Sequence, residues 1–302
     1  MTQLQLDRLA PRAFGLNAKF PYTKAAWPSD LPRPAPRRQL GVDYDTTWAR
    51  SYPARFTRVL LTELVTAPAA KALAAPRVSG LDRISALAGP VIFAPNHTSH
   101  LDTPLILSVL PEPWRHHIVV AAGADYFFDT RLKAVAFSLA TNAIPIERTR
   151  VSRDSARRAA DLLGQGWSLL IYPEGGRSPD GWAQPHRAGA AWLSARSGRP
   201  ILPVHIEGTG SILPRHARRP RLGTAKVTFG RALYPQSSTD ARALAARLEA
   251  AVAALADESS TDWWSATKRA GRGATPALSG PQAAGAWRRT WALGPRRSGR
   301  GG

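Results

Sequence analysis

The sequence predicts an α/β fold: a mixed, largely parallel sheet flanked by helices, with a helical and extended N-terminal arm and a basic, Trp-containing C-terminal tail. Three observations carry this. Short apolar runs alternate with helical patterns from about residue 90 to 257, as expected of buried strands joined by crossover helices. Ahead of them, prolines at 11, 21, 28, 32, 34 and 36 leave no persistent period. Behind them, acidic residues stop at Asp262 while basic residues and tryptophans continue.

The elements follow in order. Residues 1–53 read as a Pro-rich extended arm, its run LPRPAPRR at 31–38 favouring extended backbone. Residues 54–75 read as a helix with apolar positions at Phe56, Val59, Leu60, Leu64 and Leu73, bent or broken at Pro68. Its apolar face suits either packing on the core or lying on a membrane surface. Strands are predicted at 91–94, 117–122, 143–146, 167–172, 201–206 and 226–229. Helices are predicted at 103–110, 131–139, 152–163 (capped by Ser152), 188–196 and 240–256. Residues 258–302 read as a tail holding eight basic residues and Trp263, Trp264, Trp287 and Trp291. Indole rings among arginines suit a membrane interface, and the same mixture also suits nucleic acid.

The chain's 302 residues include 41 Lys+Arg against 21 Asp+Glu, a formal charge of +20. Such a balance attracts polyanions: anionic lipid, phosphorylated ligands or nucleic acid. With no cysteine, disulfides, thiolate metal ligands and a cysteine nucleophile are excluded. No GxxxxGK[ST], GxGxxG, GxSxG or HExxH pattern occurs, which disfavours the commonest nucleotide-binding, serine-hydrolase and zinc-protease readings. The opening residues are polar and show no signal-peptide pattern. No apolar run reaches the roughly 20 residues of a membrane span. The expected setting is therefore the cytoplasmic face of a membrane, peripheral or monotopic.

Candidate chemistry gathers where predicted strands end. The stretch Asn96-His97-Thr98-Ser99-His100-Leu101-Asp102 follows the first strand of the alternating region. A carboxylate accepting one imidazole N–H fixes the tautomer and makes the other nitrogen a base. Only His97 has an aspartate five residues on, Asp102. The spacing by itself is weak, since 7 His and 14 Asp in this chain give about 0.3 such pairs by chance. The second stretch, Tyr172-Pro173-Glu174-Gly175-Gly176-Arg177-Ser178, ends another strand. Gly175 and Gly176 permit close backbone approach, Arg177 offers a fork for phosphate or carboxylate, and Ser178 adds a donor. The third, Ile144 to Arg148, supplies Arg148 as a second arm for a phosphate. The fourth, 201–206, reads as a buried strand.

In this order the four stretches resemble the glycerolipid acyltransferase family, and most of all its bacterial 1-acyl-glycerol-3-phosphate acyltransferases. That family carries NHxSxxD, a short strand ending in Arg, a [FY]PEGTRS-like block and an apolar strand with a central Pro. The resemblance covers about residues 75–235, so 54–257 is read as the acyltransferase domain. It implies His97 as general base, Asp102 as its orienting partner, and Arg148, Glu174, Gly175, Gly176, Arg177 and Ser178 as substrate contacts. Glu174 would orient Arg177 or the acceptor. The implied partners are acyl-CoA or acyl carrier protein as donor, a lysolipid as acceptor and an anionic membrane surface, with nucleic acid disfavoured. Neither metal nor cofactor is implied. One departure concerns the acceptor: Gly176 stands where the family usually has Thr. The reaction expected is acylation of lysophosphatidic acid to phosphatidic acid. The alternatives are acylation of another lysophospholipid or glycolipid hydroxyl, and a non-catalytic basic module binding membrane or nucleic acid. An apolar groove for the acyl chain is expected beneath the 54–75 helix.

Overall fold

The structure, a computed structural model, describes residues 40–147, 153–236 and 240–280. Most of the expected arm, Arg148, the Ser152 cap, and Trp287 and Trp291 lie outside the described residues.

Two apolar layers dictate the architecture. Successive residues of a strand point to opposite sides, and in 91–94 Val91 and Phe93 join one core while Ile92 and Ala94 join the other. That strand must therefore be covered on both faces, which a parallel sheet with crossover helices achieves. Among the described residues the strands are β1 (Arg77–Ser79), β2 (Ile92–Pro95), β3 (Ile118–Gly123), β4 (Ala143–Ile146), β5 (Ser168–Leu170), β6 (Ile201–Glu207) and β7 (Lys226–Phe229). They form one sheet in the order β1-β7-β6-β2-β5-β3-β4. All neighbours run parallel except β6 and β7. The mixed, largely parallel sheet matches expectation.

The helices are α1 (Tyr52–Leu61), α2 (Ala67–Ala74), α3 (Asp82–Ser85), α4 (Asp102–Val109), α5 (Ala124–Phe127), α6 (Arg131–Thr141), α7 (Arg153–Gly164), α8 (Gly189–Ser197), α9 (Thr209–Ile212), α10 (Ala241–Ser260) and α11 (Trp263–Gly271). Residues of α2, α4 and α6 pack on one face of the sheet. Residues of α7, α8 and α10 pack on the other.

The predicted 54–75 helix is two helices joined by a π-helical turn, Thr62–Thr66. Pro68 stands in the first turn of α2 and has no N–H to offer the turn before it, which explains the interruption. The orientation of α1 inverts a simple core-packing expectation. Ala54, Arg58 and Thr62 face inward, while Tyr52, Phe56, Leu60, Leu64 and Val65 are exposed. Arg58 Nη1 donates to Ala49 O at 2.9 Å and to Leu139 O at 3.5 Å. Burial pulls its pKa down to about 10.

The C-terminal side also differs from expectation. The helix predicted to stop at 256 continues to Ser260, and α11 docks on it through buried Ala266. The Arg269 fork meets both Asp257 oxygens at 2.7 Å. Part of the segment read as a tail is thus folded against the sheet domain.

Candidate active site

The loop between β2 and α4 folds around a single carboxylate. Asp102 is fully buried. Its Oδ2 accepts from His97 Nδ1 at 2.8 Å, Thr98 N at 2.8 Å and Ser99 N at 2.9 Å. Its Oδ1 accepts from the Thr209 hydroxyl. Each of these contacts uses the side chain as an acceptor, a pattern that suits a carboxylate. With Nδ1 donating to Asp102, Nε2 of His97 carries the lone pair.

Other motif residues hold this loop in place. Asn96 Nδ2 donates to Ile206 O at 2.9 Å, and its Oδ1 accepts from Ile206 N at 2.7 Å. This two-way clasp stitches the end of β2 to β6. Ser99 is fully buried, and its Oγ donates to Leu213 O at 2.8 Å. The His97 ring stacks on Tyr172, with centroids 3.8 Å apart and 21° between planes. Tyr172 Oη lies 2.8 Å from Thr103 Oγ1. Burial holds the Tyr172 phenol well above its usual range, with the nearby Asp102 charge acting in the same direction.

The second loop, 172–178, meets the first directly. Ser178 N donates to His97 O at 2.8 Å. Glu174, expected to orient Arg177 or the acceptor, makes its hydrogen bonds to backbone N–H groups. It is buried, its Oε1 accepts from His97 N at 2.7 Å and its Oε2 from Gln184 N at 2.7 Å. Burial pushes its pKa up to about 8, against the downward pull of those two N–H bonds. Glu174 is a brace between two loops. Ser178 is buried too: its Oγ donates to Trp182 O at 2.7 Å and accepts from Gly181 N at 2.8 Å. Its hydroxyl shapes the loop and does not point to a ligand. Gly175 has φ +73°, and a Cβ there would come within 2.8 Å of the Arg187 side chain. Arg177 lies at the surface, with Nη1 3.4 Å from Arg215 O.

Beside His97 opens a cavity of about 360 Å³, walled by β3 residues Val120–Gly123 with Phe127, Phe137, Tyr172, Gly175 and Gly176. Its lining is mostly apolar, and no residue of 54–75 contributes to it. The cavity lies between β3 and α5–α6 and not under that helix. Of the expected site residues, the structure brings together His97, Asp102, Glu174, Gly175, Gly176, Arg177 and Ser178.

Two contributors were missed in the sequence. Thr209 holds the far oxygen of Asp102 from 107 residues away, and Tyr172 covers the imidazole face. Tyr172 stood inside a quoted motif, but nothing local to Thr209 signals its role. His205 of β6 is a core residue, as the buried-strand reading implied; burial pulls its pKa down to about 4.

Comparison with known proteins now bears on this geometry. Residues 75–207 match the family model described as Acyltransferase. That stretch is similar to the acyltransferase family. It is 28% identical over 145 residues to a chloroplastic 1-acyl-sn-glycerol-3-phosphate acyltransferase of Brassica napus, covering 45% of this chain and 38% of that protein. It is 28% identical over 162 residues to a 1-acyl-sn-glycerol-3-phosphate acyltransferase of Chlamydomonas reinhardtii, covering 52% and 46%. The chain thus spans under half the length of these curated relatives. The crystal structure of the 1-acyl-sn-glycerophosphate acyltransferase PlsC from Thermotoga maritima shares the fold, with TM-score 0.56, 22% identity and coverage of 73% of this chain and 85% of that one. The matched stretch 75–207 holds β1 to β6, and with them both loops of the site.

Proposed function

We propose that this protein is an O-acyltransferase that moves a fatty acyl group from a thioester donor to the free hydroxyl of lysophosphatidic acid. One observation carries the reading: a buried, four-fold-held Asp102 orients His97 at the mouth of an apolar cavity. His97 Nε2 takes the proton of the acceptor hydroxyl. The oxygen attacks the thioester carbonyl, a tetrahedral oxyanion forms, and the C–S bond breaks. The imidazolium returns its proton to the leaving thiol of coenzyme A or acyl carrier protein. The cavity suits the acyl chain, and the half-buried Arg177 suits the acceptor phosphate. The backbone N–H of Gly176, at the cavity wall, is a candidate oxyanion donor, whereas that of Gly175 already donates to Tyr172 O at 3.0 Å. Arg148 keeps its expected role as a second phosphate arm.

A peripheral membrane setting fits the same reading. No helix among the described residues is long and apolar enough to cross a membrane. The outward row Tyr52, Phe56, Leu60, Leu64 and Val65 gives α1 and the π turn a face that a bilayer surface would cover.

A second reading rests on Gly176. It lines the cavity beside His97 without the hydroxyl that Thr would supply, which leaves room for a different acceptor, another lysophospholipid or a glycolipid.

The test is thiol release from acyl-CoA by the purified protein with lysophosphatidic acid, beside His97→Ala. General-base catalysis is worth about 10²–10⁴-fold, so the variant should lose that much turnover while melting as the parent does. Release with a different lysolipid alone would favour the second reading. A folded protein that releases no thiol with any lysolipid or carrier would overturn the enzyme reading.

A further inference from the structure

Tyr172, which covers one face of the His97 imidazole, borders two cavities. One is the cavity beside His97. The other lies on the opposite side of the sheet, between α7 and α8, with Ala156, Ala159, Ala190 and Trp192 in its wall. The two share Ala121, Ile146, Tyr172 and Gly175. Gly175 adds no side chain, so the partition there is backbone alone. The wall of the second cavity is almost wholly apolar, and Trp192 stands at its rim, 43% exposed. At roughly 30 Å³ for a group the size of water, its volume of about 110 Å³ holds some four methylenes.

Acyl transfer to a lysolipid brings two hydrocarbon chains to one imidazole. The thioester carbonyl must reach the base directly, and of the two cavities only the first has His97 in its wall. That cavity suits the donor chain. The acceptor's chain hangs from the carbon next to the reacting one, several bonds from the hydroxyl that His97 serves. It needs apolar space close to the imidazole but not against it, and the second cavity has that relation, reaching the ring through Tyr172. The pantetheine arm of the donor also lies several bonds away, but it carries two amides, and burying these among alanines without partners is costly. We infer that the cavity between α7 and α8 is a subsite for the acceptor's own acyl chain, seating its first methylenes while the donor chain fills the cavity beside His97. This rests on the proposed acyl transfer and deepens it. The remainder of the acceptor chain leaves past Trp192.

The experiment is a ladder of freely soluble lysophosphatidic acids with chains of two to eight carbons, run against one acyl-CoA. Acceptor kcat/KM should climb about fourfold for each methylene buried, over about four carbons, and then level off. Ala156→Phe, at a half-buried position of α7, fills the cavity. It should cut the six-carbon to two-carbon ratio about tenfold or more and leave the chain-length preference among acyl-CoA donors as it was. Trp192→Ala opens the rim and should move the plateau to longer acceptors, which keeps the test alive if the Phe variant does not fold. A ladder unchanged in both variants overturns the inference. So does a change that falls on the donor series, or on the acyl-CoA KM with the acceptor ladder intact, which would give the cavity to the donor chain or the pantetheine arm. Fluorescence quenching by a chain-brominated, six-carbon lysophosphatidic acid needs no turnover, and the difference between the parent and Trp192→Phe isolates the indole at the rim. Quenching lost in Trp192→Phe supports the subsite even if no acyl transfer is found, a result that would count against the proposed function alone. No such quenching, or quenching by a chain-brominated acyl-CoA in its place, overturns the subsite even if transfer proceeds.

Discussion

Glu174 Oε1 accepts the backbone N–H of His97 at 2.7 Å. The catalytic candidate is therefore fixed twice, through its ring by Asp102 and through its main chain by a residue of the other loop. The Glu174 carboxylate reaches onward to Gln184 N, so one buried side chain sets the spacing between the base and the loop that bears Gly176 and Arg177.

This brace predicts a pH effect on stability. The Glu174 carboxyl rises on folding from 4.5 to about 8. A group with a raised folded pKa stabilises fully below its unfolded value, and that contribution is lost as pH climbs through the folded one. Wild-type Tm should therefore fall between about pH 4.5 and 8 in a way that Glu174→Gln does not share. Thermal melts across that window decide it, and identical slopes in both proteins would remove Glu174 as the cause.

The Thr209 hydroxyl predicts a split between two near-isosteres. Thr209→Val leaves Asp102 Oδ1 buried without its donor, at about 1–3 kcal/mol of stability. Turnover should drop about tenfold as the aspartate loosens. Thr209→Ser keeps the donor and should recover most of both. Denaturant unfolding and thiol release, run side by side, are the measurements; a Val variant that matches the parent while Ser loses would show that the methyl group, and not the hydroxyl, matters.

Cavity shape predicts chain-length selection. Ala122 lines the cavity wall, and Ala122→Phe fills part of it. kcat/KM for long-chain acyl donors should fall about tenfold or more, while short-chain donors lose little. A uniform loss across chain lengths would place the acyl chain elsewhere.

The outward face of α1 and the π turn predicts membrane partition. Phe56 and Leu64 are 55% and 71% exposed. Phe56→Asp/Leu64→Asp should abolish co-flotation with vesicles containing anionic lipid and leave turnover of a freely soluble short-chain lysolipid within about twofold. Flotation that survives the double change would move the contact to another surface.

What the sequence made legible depends on how local each signal is. The strand at 143–146 was read to the residue, because an apolar run bounded by Asn142 and Glu147 leaves little freedom. β1 was missed: Arg77-Val78-Ser79 is half exposed and pairs in register with Lys226-Val227-Thr228, so its partner defines it and no apolar run does. α11 was read as tail because it buries only Ala266 and relies on the Arg269–Asp257 pair. At the site, the five-residue step from His97 to Asp102 is local and was found. Glu174 was read as orienting Arg177 or the acceptor, and its oxygens are found on His97 N and Gln184 N, contacts that sequence adjacency does not suggest. The Thr209 contribution arrives across the β2–β6 pairing, where no spacing rule reaches.

That pairing has a consequence for how the protein is made. β2 is flanked by β5 and β6, strands that follow it by some 75 and 110 residues. The Asn96 clasp and the second hold on Asp102 come from Ile206 and Thr209. A nascent chain halted before β6 carries the complete HxxxxD stretch and yet lacks the contacts that orient it. Non-local closures of this kind are slow and come late. The His97–Asp102 geometry is thus completed only when β6 has paired with β2, and a chain that ends before β6 lacks it.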